Sequence, residues 1–115
     1  MRRGDIYMVD MEPARGSEAN KIRPAVIVSN DGANRAVERD RRGVITVVPL
    51  TSNTSRVLTF QVFLPADDCR LPKDSKAQCE QVRAVARERV LQRVGSVPRQ
   101  RMGEIDVALR RHLAL

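Results

Sequence analysis

The sequence predicts a mainly β protein of the α+β class, a small antiparallel barrel closed by a C-terminal helix. Three observations carry that expectation. The apolar fraction of 42% comes mostly from Val, Ile, Leu and Ala, with aromatics at 3% and no Trp, so the core is aliphatic, which suits strands. Short apolar runs alternate with turn-prone segments along most of the chain. Near its end the pattern changes to a helical period. A length of 115 residues fits one domain, residues 1–115, with no linker, repeat or low-complexity stretch.

Each element follows from its residues. G-D-I-Y-M-V-D at 4–10 carries apolar Ile6 and Met8 and stops before M-E-P-A-R-G-S, a turn-prone stretch, so it reads as the first strand. P-A-V-I-V-S at 24–29 is short, β-branched and followed by N-D-G, as expected of a strand buried on both faces. The polar segment between them, 12–23, is too long for a tight hairpin, and such loops often hold binding residues. Residues 31–43 are polar, with room for a short helical turn and a mobile basic tip at Arg39 to Arg42.

G-V-I-T-V-V-P-L at 43–50 is the strongest strand, and Pro49 is expected at its end or on an edge because it cannot donate to a ladder. V-L-T-F-Q-V-F-L at 57–64 alternates and stops at Pro65, and a fifth strand is expected from about Ala77 to Val85. R-E-R-V-L-Q-R-V-G-S at 87–96 reads as a turn region. Pro98 can then open a helix, whose apolar face is marked by Met102, Ile105, Leu109 and His112 or Leu113.

The charge balance narrows the partners. Lys plus Arg number 21 against 14 Asp plus Glu, a formal charge of +7, which attracts polyanions or acidic proteins. Arginine dominates the cations, and its planar fork matches phosphate oxygens, although a GC-rich genome would raise Arg as well. No apolar stretch resembles a signal peptide or is long enough to span a bilayer, so a cytoplasmic protein with no membrane association is expected. Cys69 and Cys79 lack CxxC spacing and neighbouring His, so neither a metal site nor a disulfide framework is expected, and no cofactor.

Three polar stretches fall at strand ends: Arg15-Gly16-Ser17-Glu18, Arg23-Pro24, and Pro49-Leu50-Thr51-Ser52-Asn53. Arg23 precedes a proline and is therefore pushed to extended geometry at the mouth of a strand, where its guanidinium is aimed by a stiff element. The order R-G-D-I-Y-M-V-D, R-G-S-E, R-P-A-V-I-V-S-N and V-V-P-L-T-S-N, continued by E-Q-V-R at 80–83, resembles the MazF/PemK ribonuclease toxins over most of the chain. That resemblance implies an SH3-like barrel of the CcdB/PemK kind, a homodimer with an RNA groove at or near its interface, and an acidic antitoxin that silences the enzyme. It places the family's catalytic Arg at Arg23 and catalytic Thr at Thr51, with Glu18, Ser52 and Gln81 lining the groove. Ser17, Asn53, Arg56 and Arg83 are the further candidate substrate-binding residues. Met8, where an aromatic is common, and Ile22, where some members have His, depart from the pattern and bear on base preference.

The chemistry implied is cleavage of single-stranded RNA (mRNA, tRNA or rRNA) by its own 2′-OH, leaving a 2′,3′-cyclic phosphate and a 5′-OH without a metal. His112, the single histidine, is expected on the C-terminal helix far from the polar stretches, which argues against His-based acid–base catalysis. Arg23 stays charged at any working pH and suits the developing phosphorane charge, while Thr51 can donate to a nonbridging oxygen or relay a proton. Two roles are open for Glu18: general base, or a salt bridge that orients Arg23. Asp67-Asp68 reads as a solvated turn. Arg39, Arg41, Arg42, Arg56, Lys76 and Arg83 are expected to track the RNA backbone. Arg87, Arg89 and Arg93 read as solvated surface. The loops 20–22 and 54–58 are where the cleavage sequence would be encoded. A CcdB-like toxin that binds a protein target without catalysis, or a non-catalytic nucleic-acid-binding barrel, are the alternatives; neither needs Arg23 and Thr51 as a pair.

Overall fold

The computed structural model describes residues 1–13, 15–18 and 21–115. In them, seven strands form one antiparallel sheet: β1 (Asp5–Asp10), β2 (Ile22–Ile27), β3 (Val44–Thr51), β4 (Gln61–Leu64), β5 (Ser75–Gln78), β6 (Arg83–Ala86) and β7 (Val90–Ser96). The helices are α1 (Asp31–Asp40), the single turn α2 (Ala66–Cys69) and α3 (Arg99–Leu113), with 3-10 turns at Cys79–Gln81 and Arg87–Arg89. The neighbours run β4-β5-β3-β2-β1-β7, and β6 pairs with β3 on the edge opposite β2.

β3 organises the sheet by changing partners along its length. Val44 to Val47 pair with β6, Val47 to Pro49 pair with β2 on the opposite edge, and Leu50 and Thr51 pair with β5. A strand that leaves one neighbour for another bends the sheet around itself, giving the small barrel with its C-terminal helix. Pro49 sits at that seam, after the last residue held by β6 and before the first held by β5. It is therefore buried in a central strand rather than at a strand end, and the seam is where a missing N–H is tolerated.

Alternation sends neighbouring side chains of β1 to β3 to opposite faces. Ile6, Val26, Val48 and Leu50 join Met102, Ile105 and Ala108 of α3 in one buried cluster, whereas Val9, Ala25, Ile27, Ile45 and Val47 join Val37 of α1 in another. The second strand is thus buried on both faces in its second half, as its unbroken β-branched run implies.

Several elements differ from expectation. The polar stretch after β2 is a ten-residue helix, not a short turn. Asn30 of the apparent N-D-G turn is its N-cap, with Oδ1 accepting from the Ala33 N–H at 2.8 Å. Only Asn34 and Val37 of that helix are buried, so it carries too few apolar residues to show a period. Asn34 donates to the Ser29 carbonyl at 2.9 Å and accepts from Ser29 Oγ at 2.5 Å, and Ser29 Oγ accepts from the Thr46 N–H at 3.2 Å; this satisfied polar network docks α1 onto the sheet.

Residues 57–60 are not strand; β4 begins at Gln61. The run expected from Ala77 to Val85 is two strands separated by the 3-10 turn. Residues 90–96, read as a turn region, form β7. Its Gly95 is enforced by packing, since a Cβ there would lie 2.3 Å from the Cys69 carbonyl oxygen. Asp68, on α2, pairs with Arg101 of α3 at 3.5 Å.

Candidate active-site cleft

Arg23 lies in β2 and Thr51 ends β3. The β2–β3 ladder runs from Ile27 opposite Val47 to Ala25 opposite Pro49, two residues short of Arg23 and Thr51, and Thr51 is the cross-strand partner of Lys76 in β5. Arg23 and Thr51 line one cleft of about 340 Å³, together with Lys21, Ile22, Pro24, Leu50, Ser52, Leu71, Pro72, Lys73 and Ser75. Both are half-buried.

The Thr51 hydroxyl is oriented by its own loop. Its Oγ1 accepts from the Asn53 N–H at 3.3 Å, which leaves the hydroxyl proton to be donated into the cleft. Asn53 Oδ1 in turn accepts from the Ser55 N–H at 3.3 Å and from Ser55 Oγ at 2.9 Å. Asn53 therefore contacts neither cleft wall; it holds Thr51. Lys76 Nζ donates to the Arg56 carbonyl at 2.5 Å, tying the same loop to β5, so Arg56 takes part through its backbone.

The other expected site residues stand elsewhere. Glu18, Gln81 and Arg83 line a second cleft of about 320 Å³, with Glu80 and Val82. Gln81 Nε2 donates to the Ser17 carbonyl at 3.3 Å, so Ser17 contributes a backbone oxygen, and Arg83 Nη1 donates to the Met11 carbonyl at 3.4 Å. Glu18 Oε1 accepts from the Arg15 N–H at 2.7 Å. The ion pairs of the described residues do not include one from Glu18 to Arg23. A loop turn takes up the carboxylate.

The expected basic track also divides. Arg39, Arg41 and Arg42 stand where α1 leads into the start of β3, roughly 23 Å from Thr51 by the rise of an extended strand, so they do not share its cleft. Arg39 is paired with Asp40 at 3.1 Å. The arginines read as solvated are structural: Arg87 pairs with Glu38 at 3.7 Å, Arg93 with Asp5 at 3.3 Å, and Arg89 donates to the carbonyls of Asp10 and Glu12. His112 stacks its ring near Phe60, centroids 6.4 Å apart, and lines neither cleft.

Sequence reasoning missed Lys73, Ser75 and Glu80. Glu80 Oε2 accepts from Gln61 Nε2 at 2.8 Å, while its Oε1 is buried with no partner among the described residues. The signal for Glu80 was its place in E-Q-V-R; Lys73 lies in a turn with no motif of its own, and Ser75 begins β5 just after it. Asn20, in the loop expected to encode the cleavage sequence, lies outside the described residues; Lys21 and Ile22 of that loop line the first cleft. Residues 54–58, the second such loop, line neither cleft.

Two thiols are buried near this end of the barrel. Burial, and then the carboxylate of Glu80, push Cys79 up to about 12, and burial raises Cys69 likewise, so neither is a ready nucleophile.

A family model described as PemK-like, MazF-like toxin of type II toxin–antitoxin system matches residues 2–113. The endoribonuclease MazF9 of Mycobacterium tuberculosis is 55% identical over 115 residues, covering 100% of this chain and 98% of its own length. Endoribonuclease MazF6 of the same species is 35% identical over 114 residues, covering 98% of this chain and 96% of its own. Among solved structures, MazF from Deinococcus radiodurans superposes with a TM-score of 0.83 at 22% identity, covering 100% of this chain and 97% of that one. A mycobacterial endoribonuclease in complex with its cognate antitoxin does so at 0.78 and 23%, covering 100% and 96%. At these identities the structures establish likeness of fold.

Proposed function

Because this chain belongs to the family of PemK-like, MazF-like toxins of type II toxin–antitoxin systems, we propose that it is an endoribonuclease whose Arg23 and Thr51 act on one phosphodiester of a single-stranded RNA. The observation that carries this is that both residues line a single cleft. The ribose 2′-OH attacks the adjacent phosphorus, forming the P–O2′ bond as the P–O5′ bond breaks. The 2′ proton leaves to a base and a proton reaches the departing 5′ oxygen, giving a 2′,3′-cyclic phosphate and a 5′-OH. Arg23 stabilises the extra negative charge of the phosphorane, and the Thr51 hydroxyl, already accepting from Asn53, donates to a nonbridging oxygen. Ser52 adds a donor at the same cleft.

The strongly positive chain also suits an acidic antitoxin segment that orders as it binds. A homodimer, with the RNA groove near its interface, and a cytoplasmic location complete the reading. Among the described residues no helix is long and apolar enough to cross a membrane.

Incubation of the purified chain with mixed-sequence RNA in excess chelator tests the proposal. Fragments ending in a 3′ cyclic phosphate, abolished by one 2′-deoxy substitution at the cut position, are expected. Intact RNA would overturn it and favour a toxin that acts by binding.

A further inference from the structure

Three of the 21 cationic residues are lysines; two of them, Lys21 and Lys73, stand at the Arg23–Thr51 cleft and the third, Lys76, is the cross-strand partner of Thr51. Everywhere else the cations are arginines. The two side chains do different work: guanidinium offers a rigid planar fork, whereas ammonium is a compact point charge on a flexible stem that can follow a phosphate through several orientations.

Lys21 and Lys73 rise from backbone that is held in place. Around Lys73, the Leu71 N–H donates to the Ala66 carbonyl at 3.0 Å, the Ala66 N–H donates to Asp74 Oδ1 at 2.9 Å, and Ser75 Oγ donates to the Lys73 carbonyl at 3.2 Å. Lys21 is held at a φ of 66°, a left-handed conformation that is strained for a non-glycine residue. Its N–H donates to Glu12 Oε1 at 2.7 Å and its carbonyl accepts from the Met11 N–H at 3.0 Å. The carboxylates next to these lysines, Glu12 and Asp74, are therefore engaged by backbone N–H groups, and among the described residues neither lysine enters an ion pair. Lys76 differs, because its Nζ is used on the Arg56 carbonyl.

We infer that Lys21 and Lys73 are substrate-binding residues that grip the phosphates flanking the one held by Arg23 and Thr51, so that the cleft binds a run of backbone and not a single phosphate. This rests on the ribonuclease reading above. It assigns Lys76 a separate part, positioning the Thr51 loop without touching RNA.

The test compares Lys21→Gln, Lys73→Gln and their Lys→Arg counterparts with the wild-type chain and with Arg99→Gln, which removes one exposed positive charge at the start of α3. Cleavage kinetics on RNA carrying the cut sequence, and Kd for the same RNA with a 2′-deoxy cut position, are measured across a salt series. Each Gln variant is expected to raise KM about tenfold at low salt, the loss of one charged hydrogen bond, with kcat within about twofold. The slope of log Kd against log salt should flatten by about 0.7 per lysine removed, and the Arg variants should restore it. Arg99→Gln should leave the slope unchanged. The inference is overturned if both Gln variants keep the wild-type slope, or if Arg99→Gln flattens it equally. Should the wild-type chain leave RNA intact, the cleavage reading fails separately, and the salt slopes measured on mixed-sequence RNA still decide the lysines.

Discussion

The two ends of β3 make opposite uses of positive charge. At its start, near the end of α1, two of the arginines are matched with acids: Arg39 with Asp40, and Arg87 with Glu38. At its end, near Thr51, the nearby carboxylates accept from backbone N–H groups, and the lysines stay out of the ion pairs of the described residues. An exposed ion pair spends its charge locally and contributes only about 0–1 kcal/mol to stability. Cations kept away from acids retain their field for an incoming polyanion. Net charge therefore misleads here, since what matters is which cations are already compensated.

The sharpest way to break this comparison is to remove the chemistry at one end alone. Arg23→Ala should lower cleavage turnover by ~10²–10³-fold, and Thr51→Ala somewhat less, with thermal stability close to wild type. Single-turnover kinetics check it; equal turnover in wild type and both variants would remove the cleft from the mechanism. Gly95→Ala should do the converse. Its Cβ would meet the Cys69 carbonyl oxygen at 2.3 Å, a backbone atom that cannot step aside, so a loss of roughly 1–3 kcal/mol is expected, read from denaturant midpoints. Specific activity per folded molecule should stay the same.

Alkali probes the cleft side of the core. Cys79 has an ordinary value of 9.0 that the fold raises to about 12 through burial and then Glu80. Its contribution to stability is fully present below pH 9.0 and is lost as pH rises towards the folded value, because the unfolded chain ionises first. Denaturant midpoints should fall between those two values, and Cys79→Ala should flatten that part of the curve. The smallest effect belongs to Arg93→Gln, which breaks the pair with Asp5 at 3.3 Å. It should cost less than about 1 kcal/mol and leave cleavage untouched; a large loss of activity would place functional charge among the paired arginines.

Membership of the family makes Arg23 and Thr51 the expected pair, and part of their geometry was already legible in the chain. Arg23 precedes a proline and Thr51 follows V-V-P-L, so both belong to strand ends whatever the fold. The C-terminal helix was equally clear, because Met102 and Ile105 recur at helical spacing over a long segment. The helix α1 was not, since a polar helix held by Asn34 and a cap has no apolar stripe to display. Nor was β7, whose residues Leu91 to Arg93 are exposed and whose identity as strand comes from pairing with β1.

The chain by itself thus determined part of the local structure: several of the extended segments, where the last helix begins, and which polar residues stand at strand ends. Tertiary structure alone decided how those ends are shared out. It divided the expected groove into two clefts, one with Arg23, Thr51 and Ser52 and the other with Glu18, Gln81 and Arg83, and it brought Lys73 from a turn without a motif to the first of them. The reason is that spacing along a chain constrains a residue's backbone and face, whereas its neighbours across a sheet depend on register, and β3 changes partners at Pro49.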